Sequence, residues 1–195
     1  MPRIHARGTK SPCLGSRLAL VMGVGGLAHC AGSAGVPASP AGVVPESITV
    51  TSRSFGPGGT IPVDFTCDGK NTAVEVSWSS PPQDAKAMVV ILEDPDALNA
   101  PFTHWLALDI RPEFHSIPSG ADVASFGGRL GANDNHETGY AGPCPPHGMG
   151  HHYALRVIAL DQPLGLPEGA RRANVDAAMN GHVLGSGQVV ATFVR

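Results

Sequence analysis

The sequence has few charged residues and no apolar run long enough to span a membrane. Charged residues make up 15% of its 195 positions, and its 13 Lys and Arg are spread singly in a chain of net charge −3. No basic stripe is therefore available to neutralise a phosphate backbone, and we do not expect the protein to bind nucleic acid. An apolar content of 42% nevertheless supports one packed core.

The first 45 residues differ in composition from the rest of the chain. Basic residues, with no acidic residue before Glu46, precede an apolar run over residues 18–28. This run has the length of a signal-peptide core and falls short of the roughly 20 residues that cross a bilayer. We interpret 1–30 as a signal peptide, 31–46 as a flexible linker and 47–195 as the folded domain. We expect export to the periplasm or cell envelope of a bacterium.

The four cysteines divide between the leader and the domain. Leu27-Ala28-His29-Cys30 is similar to a lipoprotein box apart from His29, so a membrane tether through Cys30 is the alternative to ordinary cleavage. Cys67 and Cys144 fall within the domain, where an oxidising compartment permits a disulfide. The sequence does not show whether their Cα atoms lie within the ~7 Å that a bridge requires, so both forms stay open.

Short apolar runs separated by Gly and Pro predict a mainly β domain, a sandwich or a barrel. Met88–Leu92 and Ala154–Leu160 are apolar enough to be covered on both faces, which predicts central strands. One short helix is expected over Asn174–Asn180, with a side-chain cap and a glycine stop. The runs that predict strands are 48–52, 61–65, 74–78, 87–92, 103–110, 153–160 and 188–194.

Two segments carry candidate binding chemistry, and the first joins two predicted strands. Asp94 and Asp96 follow one apolar run, and His104 and Trp105 begin the next. A carboxylate beside an imidazole fixes the tautomer and favours the charged form, which donates better to an anion. We therefore predict that Asp94 and His104 form a couple. The alternative is that Asp-Pro-Asp is only a turn.

The second segment is the run G-Y-A-G-P-C-P-P-H-G-M-G-H-H-Y over residues 139–153. Its glycines let backbone N–H groups approach a ligand, and its prolines reduce the entropy lost on ordering. Such a loop suits an oxyanion cradle, to which Tyr140 and Tyr153 can add hydroxyl donors. A long irregular stretch that ends in this loop is also where a site is expected.

Both segments resemble the bacterial Raf-kinase-inhibitor-like branch of the phosphatidylethanolamine-binding protein family. F-T-C-D-G, D-P-D-A, H-W, G-Y-x-G-P-C-P-P and H-x-Y occur in the family's order, within a match from about 65 to 195. The resemblance implies a β-sandwich-like fold of two sheets with a short C-terminal helix, and a small cavity for a phosphate-like or acetate-like anion. That cavity falls on Asp94, His104, Gly142, Pro143, His151 and Tyr153. Beside it lie Asp96, Trp105 and Tyr140.

The chain departs from the family pattern at four places. Leu98 stands where a proline usually rims the cavity, and residues 73–75 (Ala-Val-Glu) replace a Ser-Pro-Pro run. His152 replaces an arginine, which removes a permanent charge and a fork of donors. The Gly-Met-Gly-His loop has an intermediate length. The identity of the headgroup is therefore not inherited from the family.

These observations favour non-catalytic binding of a small anion, phosphate or a phospholipid headgroup, without a cofactor. One alternative is a hydrolase in which His104 or His151 is the general base, although the G-x-S-x-G signature of one nucleophile is absent. Another is a metal site formed by His147, His151 and His152 with Asp94. Regulation of a partner protein and homodimer formation stay open.

Overall fold

The computed structural model describes residues 45–98 and 101–195. The signal peptide predicted over 1–30, the Cys30 tether and the predicted linker up to residue 44 lie outside the described residues. No helix in the described part of the chain is long and apolar enough to cross a bilayer.

In these residues nine strands form two β-sheets and one α-helix lies near the C-terminus, which confirms the predicted mainly β, two-sheet fold. The large sheet has the order β1-β9-β8-β4-β5-β7, and the small sheet has the order β2-β3-β6. Neighbouring strands are antiparallel except for β1 and β9. The elements are β1 Glu46–Ser47, β2 Val50–Thr51, β3 Val76–Trp78, β4 Ala87–Asp94, β5 Phe102–Ile110, β6 Ser116–Ile117, β7 Arg129–Leu130, β8 Gly150–Leu160, α1 Arg172–Met179 and β9 Val183–Val194.

The two strands predicted to be central, β4 and β8, are neighbours in the large sheet. All eight residues of β4 are buried, because both faces of the sheet are covered. Successive side chains of a strand point to opposite faces. Val90 and Leu92 accordingly face the core between the two sheets, and Val89 and Ile91 pack beneath α1. Each face of β4 therefore belongs to a different apolar layer.

Helix α1 begins two residues before the predicted start, and the predicted side-chain cap is wrong. The residue that precedes the helix is Arg171, whose side chain makes no capping hydrogen bond. Asn174, the predicted cap, lies inside the first turn. Val175 and Met179 are fully buried against the large sheet, so packing rather than a polar cap holds the helix.

The apolar run Ile61–Phe65 was predicted as a strand and is instead a 3₁₀ turn over Val63–Phe65. Pro62 has no N–H group with which to extend a β ladder. The hydroxyl and the backbone N–H of Thr66 both donate to the carbonyl of Val63, at 2.9 and 3.0 Å, which closes the turn.

Strand β9 is longer than predicted because two glycines continue it. Gly185 and Gly187 lie beside the backbone at the start of the domain. A Cβ atom at Gly187 would lie 1.7 Å from the Ile48 carbonyl oxygen, and one at Gly185 would lie 2.9 Å from that of Glu46. Only glycine lets the backbone of β9 pass this close to residues 46–48. Because glycine is unusual inside a strand, the sequence pattern did not predict this part of β9.

Cys67 and Cys144 form a disulfide, with their Cα atoms 5.4 Å apart. The bridge joins the segment after the 3₁₀ turn to the Pro-rich loop over a separation of 77 residues. Closing a loop of this length in the unfolded chain stabilises the fold by about 4 kcal/mol in the chain-entropy picture. The alternative that the sequence left open is therefore resolved in favour of the bridged form.

A buried ion-pair network ties α1 to the sheet. Glu93, only 1% exposed, pairs with Arg156 at 2.9 Å and with Arg172 at 2.7 Å. Arg172 also pairs with Asp176 at 2.8 Å, one turn further along the helix. Because Glu93 and Asp94 are consecutive in β4, they point to opposite faces of the sheet. The network therefore fixes the strand from the face opposite to Asp94.

We expect Glu93→Ala to lower the free energy of unfolding by about 3–5 kcal/mol, because it removes the ion-pair partner of the largely buried Arg156 and leaves Arg172 with Asp176 alone. The matched control is Glu113→Ala, whose ion pair with Arg111 is more than half exposed and should contribute at most about 1 kcal/mol. Urea unfolding followed by circular dichroism measures both. Equal, small losses in the two variants would show that the network does not hold the helix.

Candidate functional site

A cavity of about 550 Å³ lies at one end of the large sheet. At this end β4 finishes while β5 and β8 begin, because β4 is antiparallel to both neighbours. Their terminal side chains therefore meet next to the Pro-rich loop. Four of the predicted site residues line the cavity: Asp94, His104, Gly142 and His151.

Asp94, 4% exposed, is the central acceptor of this site. Its Oδ1 atom accepts the backbone N–H of Asp96 at 2.8 Å, and its Oδ2 atom accepts from Nδ1 of His151 at 2.7 Å. The Asp-Pro-Asp segment is thus both a turn and a part of the site. The predicted couple of Asp94 with His104 is wrong, since the partner is His151.

His104 is held by a backbone group instead. The pairing of β4 with β5 shifts register between Leu92 and Glu93, so that Trp105 and Thr103 are paired and His104 is not. A bulge of this kind re-aims a side chain. The His104 ring accordingly turns to the Pro-rich loop, where Nδ1 donates to the carbonyl oxygen of Ala141 at 2.7 Å.

Burial lowers the pKa of His104, against the opposing pull of the Ala141 carbonyl and the charge of Asp94. Its ring lies between those of Phe102 and Tyr153, with centroids 4.7 and 5.4 Å away. An apolar surrounding of this kind disfavours the imidazolium form. His104 is therefore neutral near pH 7.

The hydrogen bonds of both histidines fix their tautomers. A carbonyl or carboxylate oxygen only accepts, so Nδ1 of His104 and Nδ1 of His151 must each carry a proton. The remaining ring nitrogen, Nε2, is then a bare acceptor whenever the ring is neutral. It becomes a donor only when the ring takes up a second proton.

The charged groups of the cavity are acidic. Asp94 and Glu137 are among the residues that line it, and no Lys or Arg is among them in the described part of the chain. A bound anion would therefore have no permanent positive charge to pair with. The two imidazoles can supply a positive charge, but only by taking up a proton.

Two N–H groups of the Pro-rich loop, which was predicted to cradle an anion, are already bonded within the protein. Ala141 donates to the carbonyl of His104 at 2.8 Å, and Gly142 donates to Oδ1 of Asn71 at 2.6 Å. The prolines of the loop have no N–H to offer. Gly142 is required for close packing, since a Cβ there would lie 2.6 Å from the Phe65 carbonyl oxygen.

Pro143 and Tyr153, predicted in the cavity, are buried and are not among the residues that line it. The carbonyl of Pro143 accepts from the N–H of Cys67 at 3.1 Å, which joins the two chain segments beside the disulfide. Tyr153 is fully buried, and its hydroxyl has no hydrogen-bond partner among the described residues. Burial, and then the nearby charge of Asp94, raise its pKa. Its phenol therefore stays protonated and supports the His104 ring.

The three residues predicted beside the cavity have different roles. Trp105 is 1% exposed and packs in the core, edge-on to Tyr140 with ring centroids 5.9 Å apart. The Tyr140 hydroxyl donates to the carbonyl of Phe65 at 2.7 Å, so it is not available to a ligand. Asp96 accepts from Nδ1 of His152 at 2.7 Å and from its backbone N–H at 2.8 Å.

His152 and His151 are consecutive in β8 and point to opposite sides of the strand. His151 is buried in the site, while His152 is exposed and paired with Asp96. Within residues 45–98 and 101–195, no three His, Cys, Asp or Glu side chains are placed to hold a metal ion. The strand geometry thus separates the histidines that the metal alternative required.

Several lining residues were missed by sequence reasoning. Asn71, with a positive φ of 53°, lies 71 positions before Gly142, and no local pattern links the two. Phe102 could have been found, because it lies on the same face of β5 as His104, two residues away. The other missed lining residues are Cys67, Ala97, Asn135, Glu137, Ala141, Cys144, Pro145 and Pro146, whereas Leu98, expected at the rim, does line the cavity.

Comparison with known proteins agrees with this fold. The family model for phosphatidylethanolamine-binding protein matches residues 51–194. A UPF0098 protein of Aquifex aeolicus is 40% identical over 152 residues, which cover 75% of this chain and 88% of that protein. LppC of Mycobacterium tuberculosis, named as a candidate lipoprotein, is 34% identical over 94% of this chain and 96% of its own length.

A solved structure gives the same result. The crystal structure of a phosphatidylethanolamine-binding protein homologue of Chlamydia trachomatis, CT736, superposes with a TM-score of 0.71 at 30% identity. The superposition covers 77% of this chain and 99% of that one. Family model, sequence relatives and structure therefore agree, and the chain belongs to the phosphatidylethanolamine-binding protein family.

Proposed function

We propose that the cavity binds a small anionic group, a phosphate or the phosphate of a lipid headgroup, without catalysing a reaction on it. Membership of the family supports the binding of a small ligand. The observation that carries the finer proposal is the pair of buried imidazoles, His104 and His151, in one cavity. Each has Nδ1 committed to the protein, which leaves Nε2 for the ligand.

Anion binding in this cavity requires protons. Two bare Nε2 atoms repel an unprotonated oxyanion, so either the ligand arrives as an acid or the rings take up protons on binding. Asp94 compensates the charge that His151 then gains, through the hydrogen bond at 2.7 Å. Without Lys or Arg in the described lining, we expect modest affinity for the free anion, with Kd about 1 mM.

The lining also supports a non-catalytic role. A hydrolase that works through a covalent intermediate needs a nucleophile beside the base. Among the described lining residues there is no serine, threonine or lysine, and both cysteines are joined in the disulfide. His151 thus has the oriented imidazole of a general base but no hydroxyl, amine or free thiol nucleophile among the described lining residues.

We further propose that the protein is exported. LppC, named as a candidate lipoprotein, matches 94% of this chain, which includes part of the basic and apolar leader. The disulfide agrees with an oxidising compartment. An envelope location brings the cavity close to phospholipid headgroups.

The proposal is tested by titrating sulfate, a tetrahedral dianion whose charge is constant between pH 5.5 and 8, and measuring heat of binding. We expect affinity to rise as the pH falls across this range, because the rings must be protonated. His104→Asn and His151→Asn should each weaken binding at least tenfold, since the amide nitrogen replaces Nδ1 while Nε2 is lost.

His182→Asn is the matched control, because His182 also pairs with a carboxylate, Asp161 at 2.9 Å, but lies outside the cavity. This variant should bind sulfate as the wild type does. Unchanged binding in both cavity variants would refute the assignment of the site. If the wild type hydrolyses generic phosphoesters and His151→Asn does not, the function is catalysis and not binding alone.

Burial of His104 also makes stability depend on pH. Its pKa is lowered in the folded protein, so as the pH falls through the ordinary value of 6.5 the unfolded chain takes up a proton that the folded chain does not. The free energy of unfolding therefore does not depend on this group above pH 6.5. Below pH 6.5 it falls by up to about 1.4 kcal/mol per pH unit.

We therefore expect His104→Asn to flatten the fall in unfolding free energy between pH 6.5 and 5, measured by urea unfolding without added anion. The control is His147→Asn, a substitution of an exposed histidine near the same cavity. Identical pH slopes in His104→Asn and the wild type would contradict the buried, neutral state of His104.

A further inference from the structure

A second cavity, of about 520 Å³, lies against the small sheet. It shares no lining residue with the first cavity. Ser77 of β3 and Ser116 of β6 line it and are direct partners in the strand pairing. The segment that departs from the family pattern, residues 73–75, ends in this cavity with Glu75. A feature of this particular chain, not absorbed by the first site, therefore lies here.

Glu75 carries a buried negative charge that neutral groups alone compensate. The residue is 8% exposed. Its Oε1 atom accepts from the Ser77 hydroxyl, and its Oε2 atom accepts from the backbone N–H of Arg53. Among the described residues it forms no ion pair. A carboxylate offers about four acceptor positions, so a cationic donor such as an ammonium group can still bind to it.

Arg53 lines the same cavity with the opposite charge. Its residue is exposed, and its guanidinium makes no ion pair within the described part of the chain, including with Glu75. A ligand that is only cationic would be repelled by Arg53, and one that is only anionic would be repelled by Glu75. A ligand that carries both charges at a short separation is attracted by both residues.

The other lining residues of this cavity indicate what uncharged group the ligand can carry. Phe65 and the rings of Pro62 and Pro118 line the cavity, as do Ser77 and Ser116. Such a mixed wall accommodates a short apolar group beside the charged one. The cavity thus offers an anionic point, a cationic point and an apolar flank.

We propose that this second cavity binds a free α-amino acid, with the ammonium group on Glu75, the carboxylate on Arg53 and an apolar side chain against Phe65. The proposal is independent of anion binding in the first cavity. The planar fork of Arg53 suits two parallel hydrogen bonds to a carboxylate.

The test is an NMR titration of the intact protein with three matched probes. These are L-leucine, 3-methylbutylamine, which lacks its carboxylate, and 4-methylpentanoate, which lacks its ammonium group. We expect leucine to shift the backbone amides of Ser77 and Ser116 in a saturable way. Each of the other two probes should require at least a tenfold higher concentration for half-saturation.

Two variants separate this site from the first. Arg53→Gln, at an exposed position, should raise the half-saturation concentration of leucine at least tenfold and leave sulfate binding unchanged. Glu75→Gln should do the same if it folds. His151→Asn should leave leucine binding unchanged. The proposal is overturned if leucine causes no shift, if the amine binds as well as leucine, or if Arg53→Gln binds leucine normally.

Discussion

The hydrogen bond between the buried carboxylate of Asp94 and Nδ1 of His151 is the interaction on which the site depends. It joins the end of β4 to the beginning of β8 across neighbouring strands. The other oxygen of Asp94 closes the turn that leads toward β5. One side chain therefore sets the tautomer of an imidazole and the path of the chain that leaves the sheet.

The same strand carries the principal polar anchor of the opposite face. Glu93 precedes Asp94, and the alternation of side chains directs it to Arg156 and to Arg172 of α1. Two consecutive acidic residues thus hold a helix on one side and a binding cavity on the other. A shift of β4 by one residue would turn Glu93 toward the cavity and Asp94 toward α1, away from their partners. The two carboxylates therefore help to specify the register of the strand. Rigid placement of β4 is the basis of a preorganised cavity.

The sequence sufficed for the parts of the fold in which local pattern and burial agree. The apolar runs of β4 and β8 predicted the centre of the large sheet, and the motifs predicted which two segments meet. It did not suffice where tertiary contacts override pattern. Pro62 turned an apolar run into a 3₁₀ turn. A bulge at His104 re-aimed its ring to Ala141, which no spacing reveals. The side chain of Asn71 accepts the hydrogen bond of the Gly142 N–H, a group of the loop that was expected to bind an anion.

We propose that both cavity histidines present a bare Nε2 when neutral and bind an anion only by gaining a proton. Nitrogen-15 NMR of the imidazole rings tests it most directly. Above the titration range, His104 and His151 should each show a protonated Nδ1 and an unprotonated Nε2. Saturation with sulfate should convert both rings to imidazolium. A protonated Nε2 in either neutral ring, or sulfate bound to two neutral rings, would contradict this proposal.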